Sequence, residues 1–313
     1  MIKKLELEAL KADISSVDRL LSYRSELNDP IGFLQFSSRK LELSKKLSAL
    51  NASPEMSAGV ALFFGGDPVL GSKGIRAEFA GKAIEAFQDL VSKKFATTEI
   101  GNLGQRGPIP LRSNTELMLT DVARGSFGLI LEEVNSNDSL THTALHQVVD
   151  DVTNTILEFS APEFAAYESA LETIDSRLLV SLRDFFKLLD EENATIRLVE
   201  GDVDESLDSV AIHRARNRTD FSSINETESD EIVGRLFILP AHKRFELIKT
   251  DTGEILYGSV SADVSKKSLE LLRTDNDVVG KVWRTKMRMR QTIKQNQEPK
   301  LSYTLLELIG KVE

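Results

Sequence analysis

The first fifty residues carry apolar side chains at helical spacing. One stripe runs from Leu10 to Leu21, and a second follows the break at Asn28-Asp29-Pro30. Asp29 and Pro30 are typical of the N-cap and the first position of a helix. We therefore expect two helices in residues 1–52, forming a hairpin or a coiled-coil arm. Self-association would use the second stripe, and packing on the chain's own domain is the alternative. That stripe comprises Phe33, Phe36, Leu43, Leu47 and Leu50.

Residues 57–160 are expected to form a small α/β domain. A buried strand at 59–64 leads into a loop with four glycines, and an amphipathic helix follows from Ala77. Runs at 116–122 and 125–134 predict a β-hairpin, and a helix is expected over about 141–159. Beyond it, the apolar side from Tyr167 to Leu189 predicts one long linking helix over 161–193.

After residue 194 the pattern changes towards a period of two, which is typical of strands. We expect a β-rich C-terminal domain over 194–313, with early strands at 195–199 and 209–213 and a flexible acidic connector at 220–230. Five short strands within 231–310, with a turn at Asp251-Thr252-Gly253 and a helix near 264–272, predict a small closed β-barrel of the SH3 or OB type. The predicted fold class is therefore α+β, with an N-terminal helical hairpin, a small α/β domain, a long linking helix and a C-terminal small β-barrel.

Composition narrows the classes of function. The 313 residues contain no cysteine, which excludes disulfides, thiolate metal sites and a cysteine nucleophile and favours a reducing, cytoplasmic location. The N-terminus does not resemble a signal peptide, and no apolar run approaches the roughly 18 residues of a membrane span, so no membrane partner is expected. Residues 211–313 hold 18 Lys and Arg against 15 Asp and Glu, a charge of +3. The totals of 39 and 49 then leave 21 against 34, or −13, for residues 1–210.

The glycine loop is the segment closest to a chemical signature. The residues from Gly66 to Gly71 have the spacing of a Walker-type loop, but Ser72-Lys73 reverses the order that a phosphate loop needs. Pro68 also lacks an N–H donor, and the carboxylate of Asp67 would repel an anion. We therefore interpret the loop as a structural turn, with a nucleotide- or phosphate-dependent enzyme as an alternative. The candidate ligand residues for that alternative are Gly65, Gly66, Ser72, Lys73, Arg106 and Arg124.

The remaining catalytic and metal-binding patterns are weak. His142, His146 and Asp150 are spaced four apart on a predicted helix, but a metalloprotease helix would carry Glu where Thr143 stands. We expect this to be a solvated face and predict no metal site and no cofactor. No serine lies in a nucleophile-elbow sequence, and we name no catalytic residue.

Two basic runs are the strongest positive signal. If both segments are extended, each places its basic side chains on one strand face, opposite Trp283, Met287 and Met289 in the second run. We favour an edge strand whose charges block aggregation and form salt bridges to the acidic connector, and the alternative is that the face meets phosphates or an acidic protein surface. The candidate binding residues are Arg214, Arg216, Arg218, Arg284, Lys286, Arg288 and Arg290.

These observations favour a non-catalytic interaction or assembly component of a multi-protein, bacterial-type system. We expect it to be a homodimer that meets another protein subunit. A nucleic-acid-binding protein that uses the basic strand of the barrel is the first alternative, and an enzyme at Gly65–Gly74 is the second.

Overall fold

The computed structural model has a mixed α+β fold whose contacts divide the chain into two compact units. The first unit comprises residues 1–103 and 107–217, and the second comprises 104–106 and 218–313. The residues that the structure describes are 2–53, 57–101, 103–104, 106–123, 127–133, 143–229, 231–239, 242–261, 264–266, 280–294 and 297–312. No helix in these ranges is long and apolar enough to cross a membrane.

The N-terminal hairpin consists of α1 (Lys3–Ser22) and α2 (Pro30–Ala52). The two helices are antiparallel, because the Lys3 ammonium at the start of α1 donates to the carbonyl of Ser53 after the end of α2. The predicted helix start is confirmed: the Asp29 carboxylate accepts a hydrogen bond from the Gly32 N–H, and Pro30 is the first helical residue. Gly32 is needed there, because a Cβ would overlap the Asp29 carboxylate.

A five-stranded antiparallel sheet is the centre of the first unit. Its strands are β1 (Gly59–Gly66), β2 (Met118–Ala123), β3 (Phe127–Glu132), β4 (Ala194–Glu200) and β5 (Val203–Leu207), in the order β2-β3-β1-β4-β5. The central strand β1 is buried on both faces. Phe64 packs edge-on against Phe79 of α3 (Ala77–Ile100), whereas Phe63 joins a cluster with Ile2 on the opposite face. Ile2 thus anchors the base of the hairpin to this sheet. The helix α4 (Ala144–Ser160) packs on α3.

The expected single helix over 161–193 is wrong. Two helices occupy this segment, α5 (Phe164–Thr173) and α6 (Ser176–Glu191), and α6 packs on α3 inside the first unit. The break has a local cause, because the Asp175 carboxylate caps α6 by accepting the Arg177 N–H at 2.8 Å. An aspartate that bonds the backbone in this way favours a new helix start over a continuous helix.

Residues 194–220 also differ from the expectation. The strands β4 and β5 lie in the first unit, and the strand expected at 209–213 is the start of helix α7 (Ser209–Asp220). Asp208 caps this helix by accepting the Ala211 N–H, and the buried residues Ile212 and Ala215 are three apart, which is a helical period. The segment is too short for the spacing of its apolar residues to distinguish the period of a strand from that of a helix.

The second unit contains the predicted small barrel, which is confirmed as a closed barrel of five strands. They are β7 (Ile232–Leu239), β8 (Arg244–Lys249), β9 (Ile255–Val260), β10 (Lys281–Ile293) and β11 (Lys300–Lys311). Around the barrel the order is β7-β8-β9-β11-β10, and β10 pairs again with β7. Only the β9–β11 pair among these five is parallel. The core comprises Leu236, Ile238, Phe245, Leu247, Leu256, Val260, Val264, Trp283, Met287 and Leu305.

Two local expectations in this unit have different outcomes. The turn at Asp251-Thr252-Gly253 is confirmed, because Gly253 is left-handed (φ +71°) and its N–H bonds the Lys249 carbonyl. The connector over 220–230 was expected to be flexible, but it contains the strand β6 (Ser223–Glu228), which pairs with β10. Residues 264–266 are helical, and the rest of the helix expected to 272 lies outside the described residues.

Candidate functional site

The turn of the hairpin presents an exposed apolar surface. The side chain of Leu27 is 98% exposed and that of Tyr23 is 77% exposed. Ile31, Leu34 and Leu41 continue along α2 at spacings of three and seven, which places them on one stripe of that helix. We define the hairpin-tip surface as the exposed apolar residues Leu20, Tyr23, Leu27, Ile31, Leu34 and Leu41.

A network of hydrogen bonds holds the turn that carries this surface. The Asn28 amide oxygen accepts from the Ser25 N–H at 2.6 Å, and the Asn28 N–H donates to the Ser25 hydroxyl. Arg24 donates hydrogen bonds to the Asp29 carboxylate at 3.0 Å and to the Leu20 carbonyl. Its guanidinium carbon also lies 4.8 Å from the ring centre of Phe36. Leu27 is therefore displayed by a turn whose polar groups are bonded to one another, which limits the entropy that a contact at Leu27 would lose.

The stripe predicted for self-association does not coincide with the hairpin-tip surface and is buried or half-buried. Leu43 is buried, and Phe33, Phe36, Leu47 and Leu50 are half-buried. The helices α1 and α2 pack mainly on each other. The predicted stripe therefore serves the interior of the hairpin, and the residues left over for a partner are those of the hairpin-tip surface.

Several backbone N–H groups of the glycine loop are hydrogen-bonded within the loop itself. The N–H groups of Val69, Leu70 and Lys73 donate to carbonyls within the loop, and that of Arg76 donates to the Pro68 carbonyl. A phosphate cradle needs such groups to be free and convergent. Gly66 is left-handed (φ +84°), and a Cβ there would overlap the carbonyl oxygen of Asn193. At Gly65 a Cβ would crowd the Thr195 hydroxyl. These two glycines permit close packing against the start of β4.

The other candidate residues of the loop differ in where the structure places them. Ser72 and Lys73 are exposed. Arg106 is exposed and belongs to the second unit, and Arg124 lies outside the described residues.

A serine, a lysine and an aspartate meet between α3 and α6. The Ser181 hydroxyl donates to Asp89 at 2.6 Å, and the Lys93 ammonium contacts both Asp89 (2.7 Å) and the Ser181 oxygen. Burial would raise the pKa of Asp89, but the hydrogen bonds from Lys93 and Ser181 outweigh it and hold that pKa below its usual value. Lys93 forms an ion pair with Asp89, and the group of three side chains joins α3 to α6.

The histidine pattern does not gather metal ligands. His142 lies outside the described residues, and the His146 Nδ1 is 3.9 Å from the buried Glu200 carboxylate. Asp150 instead accepts from Asn154 one helical turn away. Within the described part of the chain, no group of three or more His, Asp or Glu side chains could hold a metal ion.

The basic strand β10 faces glutamates of the same unit. Trp283, Thr285 and Met287 are buried, so the basic residues between them lie on the other face, as the alternation predicts. Hydrogen bonds from Lys286 and Arg288 hold the pKa of Glu228 below its usual range. The ion pairs are Arg284 with Glu231 (3.4 Å), Lys286 with Glu228 (2.8 Å), Arg288 with Glu228 (3.2 Å) and Arg290 with Glu226 (3.1 Å).

The arginines at 214, 216 and 218 lie on a helix and not on a strand. Residues two apart on an α-helix are about 200° apart around its axis, so the three do not share one face. Arg214 donates to the Ser160 carbonyl at the end of α4, and Arg216 pairs with Asp190 at 2.8 Å. Arg214 and Arg216 therefore join α7 to α4 and α6 within the first unit.

The hairpin-tip surface was not predicted from the sequence, because the apolar residues with the most regular helical spacing belong to other stripes of the two helices. Tyr23 and Leu27 lie between the two helices, where no helical period applies, and Ile31, Leu34 and Leu41 form a second stripe of α2 beside the predicted one. Their signal was Leu27, a large apolar residue between Glu26 and Asn28-Asp29-Pro30, where turns usually carry polar residues.

Comparisons with protein-family models, with curated proteins and with solved structures found no match to this chain.

Proposed function

We propose that this protein is a non-catalytic assembly component that pairs with a second copy of itself through the hairpin-tip surface. The observation that carries the proposal is the exposure of Leu27 and Tyr23 on a turn held by its own hydrogen bonds. Single exposed apolar residues are ordinary, but a contiguous group is typical of an interaction site. Tyr23 also belongs to a residue type that often supplies much of the binding energy at protein interfaces.

The charges beside the surface favour a second copy over a partner of one sign. Asp18 pairs with Lys40 at 2.7 Å, and Glu42 pairs with Arg39 at 3.1 Å. These ion pairs place charges of both signs beside the surface, so a second copy can meet acidic residues with basic ones and the reverse. An apolar patch edged by charges of both signs is compatible with the self-complementary contact that a two-fold interface requires.

The apolar side chains of the surface supply part of the area that a dimer needs. Burying a fully exposed large apolar side chain contributes about 1.5–3 kcal/mol at about 25 cal/mol/Å², which corresponds to about 60–120 Å² each. Because the six residues are 40–98% exposed, two copies bury about 500–1,000 Å² of apolar surface, and the polar residues around them must supply the rest of a specific interface of about 1,200 Å².

The test is the solution mass of the full chain by light scattering at about 1–50 µM. We expect twice the chain mass for the natural sequence and the single mass for Leu27→Glu combined with Ile31→Glu, with unchanged circular dichroism. Leu70→Glu, at an exposed residue of the glycine loop, is the matched control and should remain a dimer. A monomeric natural chain, or a dimer that survives the double substitution, contradicts the proposal.

We also infer that the barrel is of the OB type rather than the SH3 type. When its strands are numbered one to five along the chain, the order around the barrel is 1-2-3-5-4, and strand three is parallel to strand five. A meander would keep consecutive strands adjacent, whereas the OB barrel has a Greek-key order. The fold class alone does not identify a ligand.

A further inference from the structure

We propose that the outer face of β7, β8 and β9 binds single-stranded nucleic acid and prefers bases that carry an exocyclic amino group. The strand registers define this face as three rows of three residues across the barrel. The rows are Arg235–Ile248–Ile255, Phe237–Glu246–Tyr257 and Leu239–Arg244–Ser259. We call these nine residues the outer barrel face.

Apolar and aromatic side chains make up most of this face. Tyr257 is 75% exposed, and Phe237, Leu239 and Ile255 are also exposed. The alternate residues of the same strands point into the core, so the exposed ones have no role in filling the barrel. Aromatic rings on a sheet surface are platforms on which bases stack, largely irrespective of sequence.

The cations on and beside this face differ from those of β10. Arg235 and Arg244 of the face and the neighbouring Lys243 are exposed, and across the described residues their side chains form no hydrogen bond or ion pair. On β10, by contrast, Lys286 and Arg288 both reach Glu228, and Arg284 and Arg290 also pair with glutamates. Cations without a partner among the described residues therefore lie beside the aromatic side chains, whereas these four basic side chains of β10 are held in ion pairs.

The dimensions fit a short stretch of one strand. Residues advance about 3.4 Å along a strand and neighbouring strands are about 4.8 Å apart, so the face measures about 14 by 10 Å. That is too small for a typical protein interface of about 800 Å² per partner. It accommodates a few stacked nucleotides, with Arg235 and Arg244 at the two ends to meet phosphates.

Glu246 supplies the preference for particular bases. It lies between Phe237 and Tyr257 in the middle row, and its side chain forms no hydrogen bond or ion pair with the described residues. A carboxylate at this position repels phosphate, so the backbone of the ligand must pass over the arginines at the ends. A base stacked in the middle row can instead donate to Glu246, as the amino group of cytosine donates to acidic side chains. Thymine has no such group.

The test measures fluorescence anisotropy of the full-length protein with labelled twelve-nucleotide oligomers of dC and of dT at about 50 and 200 mM salt. We expect dC to bind at least about fivefold more tightly than dT. The salt slope for three phosphate contacts should be about −2, at about 0.7 per contact for a single strand. Tyr257→Ala should weaken binding about fivefold or more, and Tyr257→Phe should retain it, because stacking needs only the ring. Glu246→Gln should strengthen dT binding and reduce the preference for dC.

The double variant Lys286→Gln with Arg288→Gln is the matched control and should bind as the natural chain does. The inference is overturned if neither oligomer binds at low salt, or if the β10 double variant loses binding while Tyr257→Ala keeps it. It is also overturned if polyglutamate displaces labelled dC as well as unlabelled dC does, because the face would then belong to an acidic peptide. Leu27→Glu with Ile31→Glu should leave oligomer binding intact, so this inference and the dimer proposal fail independently.

Discussion

Glu226 of β6 lies directly opposite Arg290 of β10 in the antiparallel register, and its Oε1 accepts a hydrogen bond from Arg290 Nη1 at 3.1 Å. Both side chains are largely buried, at 11% and 15% exposure. The acidic segment before the barrel is therefore a sixth strand that neutralises the basic one. This pairing explains how four like charges on one strand face are tolerated.

The first prediction concerns this pair. Glu226→Gln removes one charge and leaves Arg290 in a largely buried place, so the second unit should lose about 1.5–3 kcal/mol of unfolding free energy. Urea denaturation is the measurement. Glu298→Gln, at an exposed residue of the same unit, should change the unfolding free energy by less than about 0.5 kcal/mol. Equal effects of the two substitutions would remove the structural role assigned to Glu226.

The second prediction concerns the glycine loop. Gly66→Ala forces a side chain into a left-handed residue and against the Asn193 carbonyl, so we expect a loss of about 2–5 kcal/mol. Gly74 has open space around its Cβ position and is not left-handed. Gly74→Ala should therefore be neutral or stabilise by about 0.4–1 kcal/mol. Comparable losses from both substitutions would contradict the account of this loop.

The same loop should bind no nucleoside triphosphate. A site occupied at 100 times its Kd would stabilise the protein by about 2.7 kcal/mol, which a thermal shift with ATP or GTP and Mg²⁺ detects readily. We expect no shift for the natural chain, because the loop N–H groups are already bonded. A shift that Lys73→Ala abolishes would revive the enzyme alternative.

The fourth prediction is a dependence of stability on pH. Two hydrogen bonds from Arg197, at 2.6 and 2.7 Å, hold the pKa of Asp204 below its usual value. A carboxyl whose pKa is lowered on folding contributes stability above its unfolded pKa of about 3.9, and that contribution is lost as the pH falls through the folded pKa. Asp204→Asn should therefore cost about 1–3 kcal/mol at pH 7 and less at about pH 3, below the unfolded pKa. The neighbouring substitution Glu205→Gln is the control, and a loss for Asp204→Asn that is the same at both pH values would contradict this assignment.

The fifth prediction tests whether the turn is preorganised for contact. Asp29→Ala removes the cap of α2 and the partner of Arg24, so the turn should loosen at a cost of about 1 kcal/mol. Because the hairpin-tip surface itself is unchanged, any weakening of the dimer comes from the added disorder. Sedimentation equilibrium should show a higher dissociation constant for this variant. An unchanged dissociation constant would mean that the rigidity of the turn is irrelevant to pairing.

The sequence predicted the features that depend on local chemistry. The Asp29 cap, the Gly253 turn and the alternation along β10 follow from one residue or one period, and each is present. The barrel was predictable because short alternating runs separated by turns rarely fold otherwise.

The features that depend on distant partners were not predictable. The helix break at Asp175 and the helix over 209–220 both depend on aspartate caps. The spacing of apolar residues gives no information about such caps. The salt bridges between the basic run and the acidic connector were one interpretation of the sequence and are present, but the pairing of that connector with β10 as strand β6 was not predicted. Likewise, the outer barrel face assembles Arg235, Phe237 and Tyr257 from separate strands, and only the register brings them together.

The central claim, that two copies meet through the hairpin-tip surface, is tested most directly by cysteine cross-linking. The chain has no cysteine, so one introduced thiol reports one position. Ser38 is exposed on the stripe between Leu34 and Leu41, and Ser72 is exposed on the glycine loop. Under mild oxidation, Ser38→Cys should give a covalent dimer that adding Ile31→Glu suppresses, while Ser72→Cys stays monomeric on a denaturing gel. No covalent dimer from Ser38→Cys, or an equal yield from Ser72→Cys, would contradict the account.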